Sequence, residues 1–341
     1  MSTKLSPTLK ALVNAPRARG GPIPAPSQVH TTNKLFDRVK ESALERGLGK
    51  HAWLTLSAAT LVTLNSPETL CRLYTYAQGS TVEEQVNTAM PFCHAFATFG
   101  FVSNLKLMRE AGLKSISFSG IPRTINSLNA LIAHVPSDVR TRLPTRPTRS
   151  LNLTPQTLQH TLDNSSSLWR SIYQPLDEKL LDKLSLAHPD LPIIILEANY
   201  GALLSNPRLS DLTRELSQQN QVLQSRMTGR VLTSMIAISC LRAQGGVGPQ
   251  VLSHVFGLKK ASLANDEVHA GNDSRSSTTE TTTAFEQDRD DEQVSKQEKA
   301  FLTSDEGCEW VLNSVDEIVR VIAGEQTSYA GPAVRDFKAK L

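Results

Sequence analysis

Hydrophobic residues recur at the spacing of an α-helix along most of the chain. The clearest case lies near the C-terminus, where apolar positions three and four residues apart form one stripe: Val311, Val315, Ile318, Val319 and Ile322. Gly324 follows this stripe, and a glycine in that place is typical of a helix end. The segment therefore predicts an amphipathic helix that packs one face on a core.

Local signals predict where several helices begin. Asn65-Ser66-Pro67 and Thr154-Pro155 each place a capping residue directly before a proline. Residues 81–84 and 303–306 have the Thr-x-x-Glu spacing of a capping box. The one β-like run, residues 192–196, continues into residues 197–200 and is predicted as a buried helix. We therefore expect an all-α fold.

Helical periodicity stops in one long segment. Residues 274–283 are almost all Ser and Thr, and residues 288–292 hold four acids, so this segment cannot bury enough apolar surface to fold. The predicted organisation is a Pro-rich leader (1–39), a first helical repeat (40–136), a connection (137–150), a second helical repeat (151–263), a disordered insertion (264–300), a C-terminal helix (301–325) and a tail (326–341).

Composition narrows the class of protein. Hydrophobic residues make up 39% of the 341 positions, and no stretch approaches the ~18 uninterrupted apolar residues of a membrane span. Outside residues 265–299 the chain holds 32 basic and 23 acidic residues, without a Lys/Arg cluster or an aromatic stacking pattern. We therefore predict a solvated surface, no membrane span and no nucleic-acid partner.

The four cysteines lie far apart, and no two of them form a Cys-x-x-Cys pair: Cys71, Cys93, Cys240 and Cys308. No apolar signal-peptide core opens the chain. This pattern predicts a reduced intracellular compartment, with thiols that mostly pack in the core. His94 has no partner at ligand spacing, so we expect no metal site and no cofactor.

Both ends of the chain carry candidate targeting signals. Ala339-Lys340-Leu341 has the small, basic, leucine order of a peroxisomal address that an import receptor binds. The leader is basic and free of acids up to Asp37, which is the alternative pattern of a mitochondrial transit peptide, although its prolines restrict any helix to one or two turns. We predict the peroxisomal matrix, with the mitochondrion as the alternative.

Two segments, residues 101–113 and 251–263, share a pattern. Asn104 aligns with His254, 150 residues later, and each is followed by an apolar residue at +4 and by Ala at +7. This similarity predicts two degenerate tandem repeats, although two unrelated amphipathic helices produce the same pattern.

These segments resemble the helix of alkylhydroperoxidase D-like and carboxymuconolactone decarboxylase-like proteins that carries Cys-x-x-Cys-x-x-x-His. Residues 97–104 and 247–254 match its spacing, and the second keeps only the histidine. The chain also resembles a fungal group of peroxisomal proteins in this superfamily, through residues 65–67, 125–129 and 245–250. The resemblance spans about residues 40–263. The resemblance implies an alkylhydroperoxidase D-like helical fold. It also implies a homo-oligomer, because members of the superfamily usually form rings.

The missing cysteines decide what chemistry the resemblance implies. Peroxide reduction in this superfamily needs an activated thiolate and a second, resolving thiol, but the motif positions are Ala97, Gly100, Val247 and Gln250. We therefore expect no thiol peroxidase activity. The cysteine-free, carboxymuconolactone decarboxylase-like branch implies lyase- or isomerase-type proton transfer on a small organic acid or acyl metabolite.

His254 is the candidate catalytic residue, and a packing role is an equal alternative. Arg123, Asn126 and Asn129 share one helix face that is predicted to line a pocket, where the arginine would bind a carboxylate; exposed surface also explains that face. Asn104 and Gln250 complete the predicted pocket. The competing function is a catalytically inactive helical scaffold that recruits another peroxisomal protein.

Overall fold

The computed structural model describes residues 5–13, 15, 21–87, 94–143, 145, 147, 149, 154–206, 228–262 and 294–324. Within these ranges all regular secondary structure is helical, which confirms the predicted all-α class. No helix in the described ranges is long and apolar enough to cross a membrane.

The helices are, in chain order, α1 (Pro7–Val13), α2 (Val29–Leu44), α3 (Lys50–Thr63), α4 (Pro67–Asn87), α5 (His94–Lys114), α6 (Ile116–Ser119), α7 (Ile121–His134), α8 (Ser137–Arg140), α9 (Pro155–Tyr173), α10 (Asp177–Ala187), α11 (Leu191–Ile194), α12 (Arg230–Gln244), α13 (Gly248–Lys260), α14 (Lys296–Leu302) and α15 (Asp305–Ala323). A π-helix, Ile195–Leu204, continues directly from α11.

The centre of the fold is the pair α3 and α12. Every residue from 52 to 63 and from 230 to 241 is buried, so both helices are surrounded on all sides. Their close packing brings the Cys240 thiol within 3.8 Å of the Ala59 carbonyl. Helices α5 and α15 pack against both members of the pair, while α2 and α7 pack against α4.

A second, smaller core lies beside this pair. It joins α9 to the π-helix through five buried residues: Leu168, Trp169, Ile172, Tyr200 and Leu204. Helix α13 packs against both α9 and α12, and therefore connects the two cores.

A buried charge cluster ties α5 to the start of α12. The Lys114 ammonium is fully buried and donates to Asn206 Oδ1 at 3.0 Å, Thr228 O at 3.2 Å and Thr233 Oγ1 at 2.9 Å. One turn earlier, Glu110 accepts two hydrogen bonds from Arg149, at 2.5 and 3.2 Å. Burial acts to raise the pKa of Glu110, but the surrounding cations hold it below its usual value.

Several predicted helix limits are confirmed and two are wrong. Helices α4 and α9 begin at Pro67 and Pro155, as the capping signals predicted. Residues 81–84, however, lie inside α4 and do not start a helix. The cap of α15 is Ser304, not Thr303, because the Ser304 hydroxyl accepts from the Gly307 amide at 3.1 Å.

The folded body extends beyond the predicted segment limits. Helix α2 starts at Val29, within the predicted leader, and buries Leu35 and Phe36. The predicted connection 137–150 contains α8, and residues 296–300 of the predicted insertion belong to α14. Apolar residues in each segment pack on the main core, which explains the extension. Most of the predicted insertion and the targeting tripeptide lie outside the described residues, in residues 263–293 and 325–341.

The run predicted as a buried helix is helical but only partly buried. Residues 191–194 form α11 and residues 195–204 the π-helix. Ile193 and Ile194 are each at least half exposed, whereas Tyr200 and Leu204 face the second core. Burial in this segment is therefore limited to separate positions: Pro192 near its start and Tyr200, Gly201 and Leu204 in its C-terminal part.

Candidate functional site

His254 lies on the inner face of α13, where it is 6% exposed. The Phe118 ring packs edge-on against the imidazole, with the centroids 5.6 Å apart, and the Tyr173 ring does the same at 6.0 Å. The Tyr173 hydroxyl is 3.3 Å from His254 Nε2, while Nδ1 is buried and has no hydrogen-bond partner among the described residues. Within the described part of the chain, two aromatic rings thus pack against the side chain, which makes one hydrogen bond.

Burial keeps this imidazole neutral. Removal from water lowers the pKa of His254 to about 4, and the neighbouring positive charge of Arg230 acts in the same direction. A neutral imidazole can accept a proton from a strong acid or hold a hydrogen bond, but it is a weaker base than an exposed histidine. The environment therefore favours a fixed, uncharged ring.

Arg230, the first residue of α12, is buried below His254 and anchors α12 to both neighbouring helices. Its guanidinium donates to Ser171 Oγ at 3.0 Å, to Ser171 O at 3.2 Å and to Gly257 O at 2.8 Å. It also hydrogen-bonds the Ser234 hydroxyl. These bonds explain how α9, α12 and α13 converge on one point next to His254.

Two tyrosines extend the site into the second core. The hydroxyls of Tyr173 and Tyr200 are 2.9 Å apart, and burial raises the pKa of both phenols. Tyr200 comes from the π-helix, a rare geometry that is frequent at functional sites. A hydrogen-bonded chain therefore runs from His254 through Tyr173 to Tyr200.

Asn104, the counterpart of His254 in the predicted first repeat, has different surroundings. It is buried on α5, and its amide donates to the Ala77 carbonyl of α4 at 3.2 Å. His254 instead contacts side chains of α6 and α9. The tandem repeat stays a prediction.

The predicted polar face of α7 is at the surface. Arg123, Asn126 and Asn129 are exposed; Arg123 Nη1 donates to Thr63 O at 2.6 Å, and the Asn126 amide donates to Asn65 Oδ1 at 3.1 Å. Gln250 is also exposed, at the start of α13. Among the hydrogen bonds of the described residues, none joins His254 to these four side chains.

A glycine turn at residues 245–247 joins α12 to α13. Gly245 and Gly246 have φ values of 70° and 73°, a left-handed conformation that side chains with a Cβ rarely adopt. The turn reverses the chain between α12 and α13, and so sets His254 opposite Arg230.

The described cysteines are Cys71, Cys240 and Cys308, and all three are buried free thiols. Burial raises the pKa of Cys71 to about 11 and raises the pKa of the other two as well. Reactive thiols have lowered pKa values, so these three behave as core residues. Cys93 lies outside the described residues.

Two clefts open elsewhere on the described surface. One, of about 560 Å³, lies between α2 and α4, and the other, of about 260 Å³, lies between α2 and α15. Neither is lined by His254 or by any other predicted pocket residue. No sequence motif points to Tyr173, Tyr200 or Arg230, because packing alone brings these residues together.

Comparison with known proteins gives one informative similarity. The chain is 24% identical over 259 residues to Peroxisomal protein 2 of Saccharomyces cerevisiae, and the match spans 65% of this chain and 85% of that protein. No family model and no solved structure matches the chain. The similarity to this relative confirms the predicted location: the protein is peroxisomal.

Proposed function

We propose that the protein is a peroxisomal matrix protein, imported through Ala339-Lys340-Leu341, whose helical body is a non-catalytic scaffold for another matrix protein. The observation that carries this proposal is the packing of His254. The one histidine that matches the superfamily motif is neutral, enclosed by Phe118 and Tyr173, and outside both clefts described above. Such a side chain stabilises a core, and neither of these two clefts of the described residues reaches it.

The outer face of the same helix supports a scaffold role. Leu252 and Phe256, one turn apart on α13, are 48% and 52% exposed, while His254 between them faces inward. Large apolar side chains at the surface favour contact with a partner protein. The raised pKa values of the described thiols also argue against thiol peroxidase chemistry.

The scaffold proposal is tested with two arms on the full-length protein. In the first, the wild type and His254→Asn are incubated with the metabolites of isolated peroxisomes, and the mixture is followed by mass spectrometry. We expect no metabolite change that depends on His254.

In the second arm, a photo-crosslinking residue at Phe256 is compared with one at Leu186, which is 87% exposed on α10. Crosslinking in peroxisomes to one discrete protein from position 256 only is the expected result; equal crosslinking from both positions contradicts it.

A second candidate function rests on the buried hydrogen-bonded chain. His254 Nδ1, which has no hydrogen-bond partner among the described residues, and the π-helix at Tyr200 favour proton transfer on a small organic acid, the chemistry that the superfamily resemblance implies. A metabolite that the wild type consumes and a folded His254→Asn variant leaves unchanged would favour this function over the scaffold.

A further inference from the structure

The cleft between α2 and α4 has room for a small molecule and is lined by both polar and apolar side chains. Val29, Asn33 and Asp37 are spaced four residues apart and line one wall, and Arg72, Thr75, Tyr76 and Gly79 line the other at helical spacing. Its volume of about 560 Å³ falls within the ~300–1,000 Å³ that is common for metabolite sites.

Polar groups that keep some hydrogen-bonding capacity converge on this cleft. Asp37 accepts the Tyr76 hydroxyl on Oδ1 at 2.6 Å, and its second oxygen has no partner among the described residues. Arg72 uses its terminal nitrogens on Pro26 O and Glu68, which leaves Nε without a partner in the same part of the chain. The half-buried Asn33 amide also has no hydrogen bond there. The cleft therefore offers a carboxylate, a guanidinium and an amide.

The geometry of these groups is fixed by packing. The Tyr76 ring contacts Phe36 at 5.4 Å and Trp53 at 6.1 Å between centroids, so the hydroxyl that holds Asp37 is anchored to the main core. Arg72 is held at the opposite wall by its bonds to Pro26 and Glu68. A ligand would thus meet preorganised partners.

Gly79 leaves open space at the α4 wall of the cleft. A Cβ built on this glycine meets no atom within 4 Å, so no close packing requires a glycine there. Glycine inside a helix is unfavourable relative to alanine, and any larger side chain at this position would enter the cleft. The space in front of Gly79 is thus part of the cleft.

We propose that this cleft binds a small carboxylic acid that also carries a hydroxyl or amino group. Its carboxylate would pair with Arg72, its hydroxyl or amino group would donate to Asp37 or bond Asn33, and its apolar part would lie along Val29 and the Tyr76 ring. This inference does not rest on the scaffold proposal, because the cleft and the α13 surface share no residue.

The test is ligand-observed NMR titration of the full-length protein with 3-hydroxyoctanoate. We expect binding that is at least 5-fold tighter than that of octanoate, which lacks the hydroxyl, or of methyl 3-hydroxyoctanoate, which lacks the charge. Gly79→Leu should weaken binding at least 10-fold by filling the cleft, and Asn33→Ala by about 3-fold. The matched control is Gly248→Leu, at another helical glycine that faces open space, and it should bind as the wild type does.

Two results would overturn the proposal. One is the absence of 3-hydroxyoctanoate binding to the wild type, and the other is equal binding by Gly79→Leu and Gly248→Leu. Thermal melts of all variants show whether each is folded, and Asn33→Ala serves as the second probe of the cleft if Gly79→Leu is not.

Discussion

His254 shows at the residue scale how burial decides the role of an ionisable side chain. The sequence predicted its position on a helix and left catalysis and packing as alternatives. The structure shows the neighbours of His254, which residue spacing does not give: aromatic rings from α6 and α9, an arginine from α12, and the second core next to the imidazole. These neighbours come from distant parts of the chain, so no local pattern predicts them.

We predict that His254→Asn destabilises the fold. Asparagine is too short to fill the space between Phe118 and Tyr173 and to keep the Tyr173 hydrogen bond, so the free energy of unfolding should fall by roughly 1–3 kcal/mol. Urea unfolding of the purified protein measures this loss. The same substitution at His188, whose side chain is 66% exposed, should cost less than about 0.5 kcal/mol. Equal losses at both positions would show that His254 has no packing role.

The lowered pKa of His254 also predicts a pH dependence. The folded protein keeps the ring neutral down to about pH 4, whereas in the unfolded chain the ring takes up its proton near 6.5. The contribution of neutral His254 is thus complete above pH 6.5 and is lost as the pH falls toward 4, with a slope of up to ~1.4 kcal/mol per pH unit. Unfolding curves between pH 7 and 4.5 should show a steeper decline for the wild type than for His254→Asn. Parallel declines would mean that the ring titrates normally.

At the element scale, helix starts were more predictable than helix faces. A cap followed by a proline is a local signal, and α4 and α9 begin where it lies. The predicted start at residues 81–84 failed because α4 runs through it. On α7, Ile121 and Ile125 are exposed, whereas Thr124 and Ser127 are buried. Thr124 donates to the Gly112 carbonyl at 3.2 Å, so the small polar face of α7 meets α5.

Gly307, in the first turn of α15, should not tolerate a side chain. A Cβ there would lie 2.0 Å from the Phe301 carbonyl oxygen and 2.7 Å from Leu302 Cα, both of them backbone atoms. We predict that Gly307→Ala lowers the free energy of unfolding by more than about 2 kcal/mol. Gly79→Ala, on a helix position that faces open space, should instead stabilise by about 0.5–1 kcal/mol. Thermal or urea unfolding of the pair tests this, and a stable Gly307→Ala protein would contradict the packing of α14 on α15.

Lys114 should be indispensable for the junction between α5 and α12. Its replacement by methionine removes three hydrogen bonds and leaves Glu110 and three acceptors without this cation, so we expect a loss of about 3–5 kcal/mol. The exposed Lys179 offers a matched control, since Lys179→Met should change stability by less than about 0.5 kcal/mol. A loss at Lys114 no larger than at Lys179 would show that the ammonium is not held as described.

At the scale of the whole molecule, class and location were predictable, and the internal arrangement was not. Composition and periodicity predicted an all-α protein, and similarity to a yeast peroxisomal protein confirmed the location. The central pairing of α3 with α12 and the separate core around Tyr200 depend on contacts across the chain. Helices α2, α8 and α14 lie across or beyond the predicted segment limits at residues 39, 137 and 300, since weakly periodic residues can still bury a few apolar side chains.

The import of the full-length protein tests the central claim most directly. The claim is that a peroxisomal matrix protein is addressed by its last three residues. We predict that deletion of Leu341 leaves the protein in the cytosol, because the receptor binds a terminal leucine, whereas Lys338→Ala, just outside the tripeptide, is still imported. Imaging of the untagged protein with a specific antibody, beside a peroxisomal marker, measures both. Unchanged organellar import after deletion of Leu341 would contradict the claim and would assign targeting to the N-terminal leader.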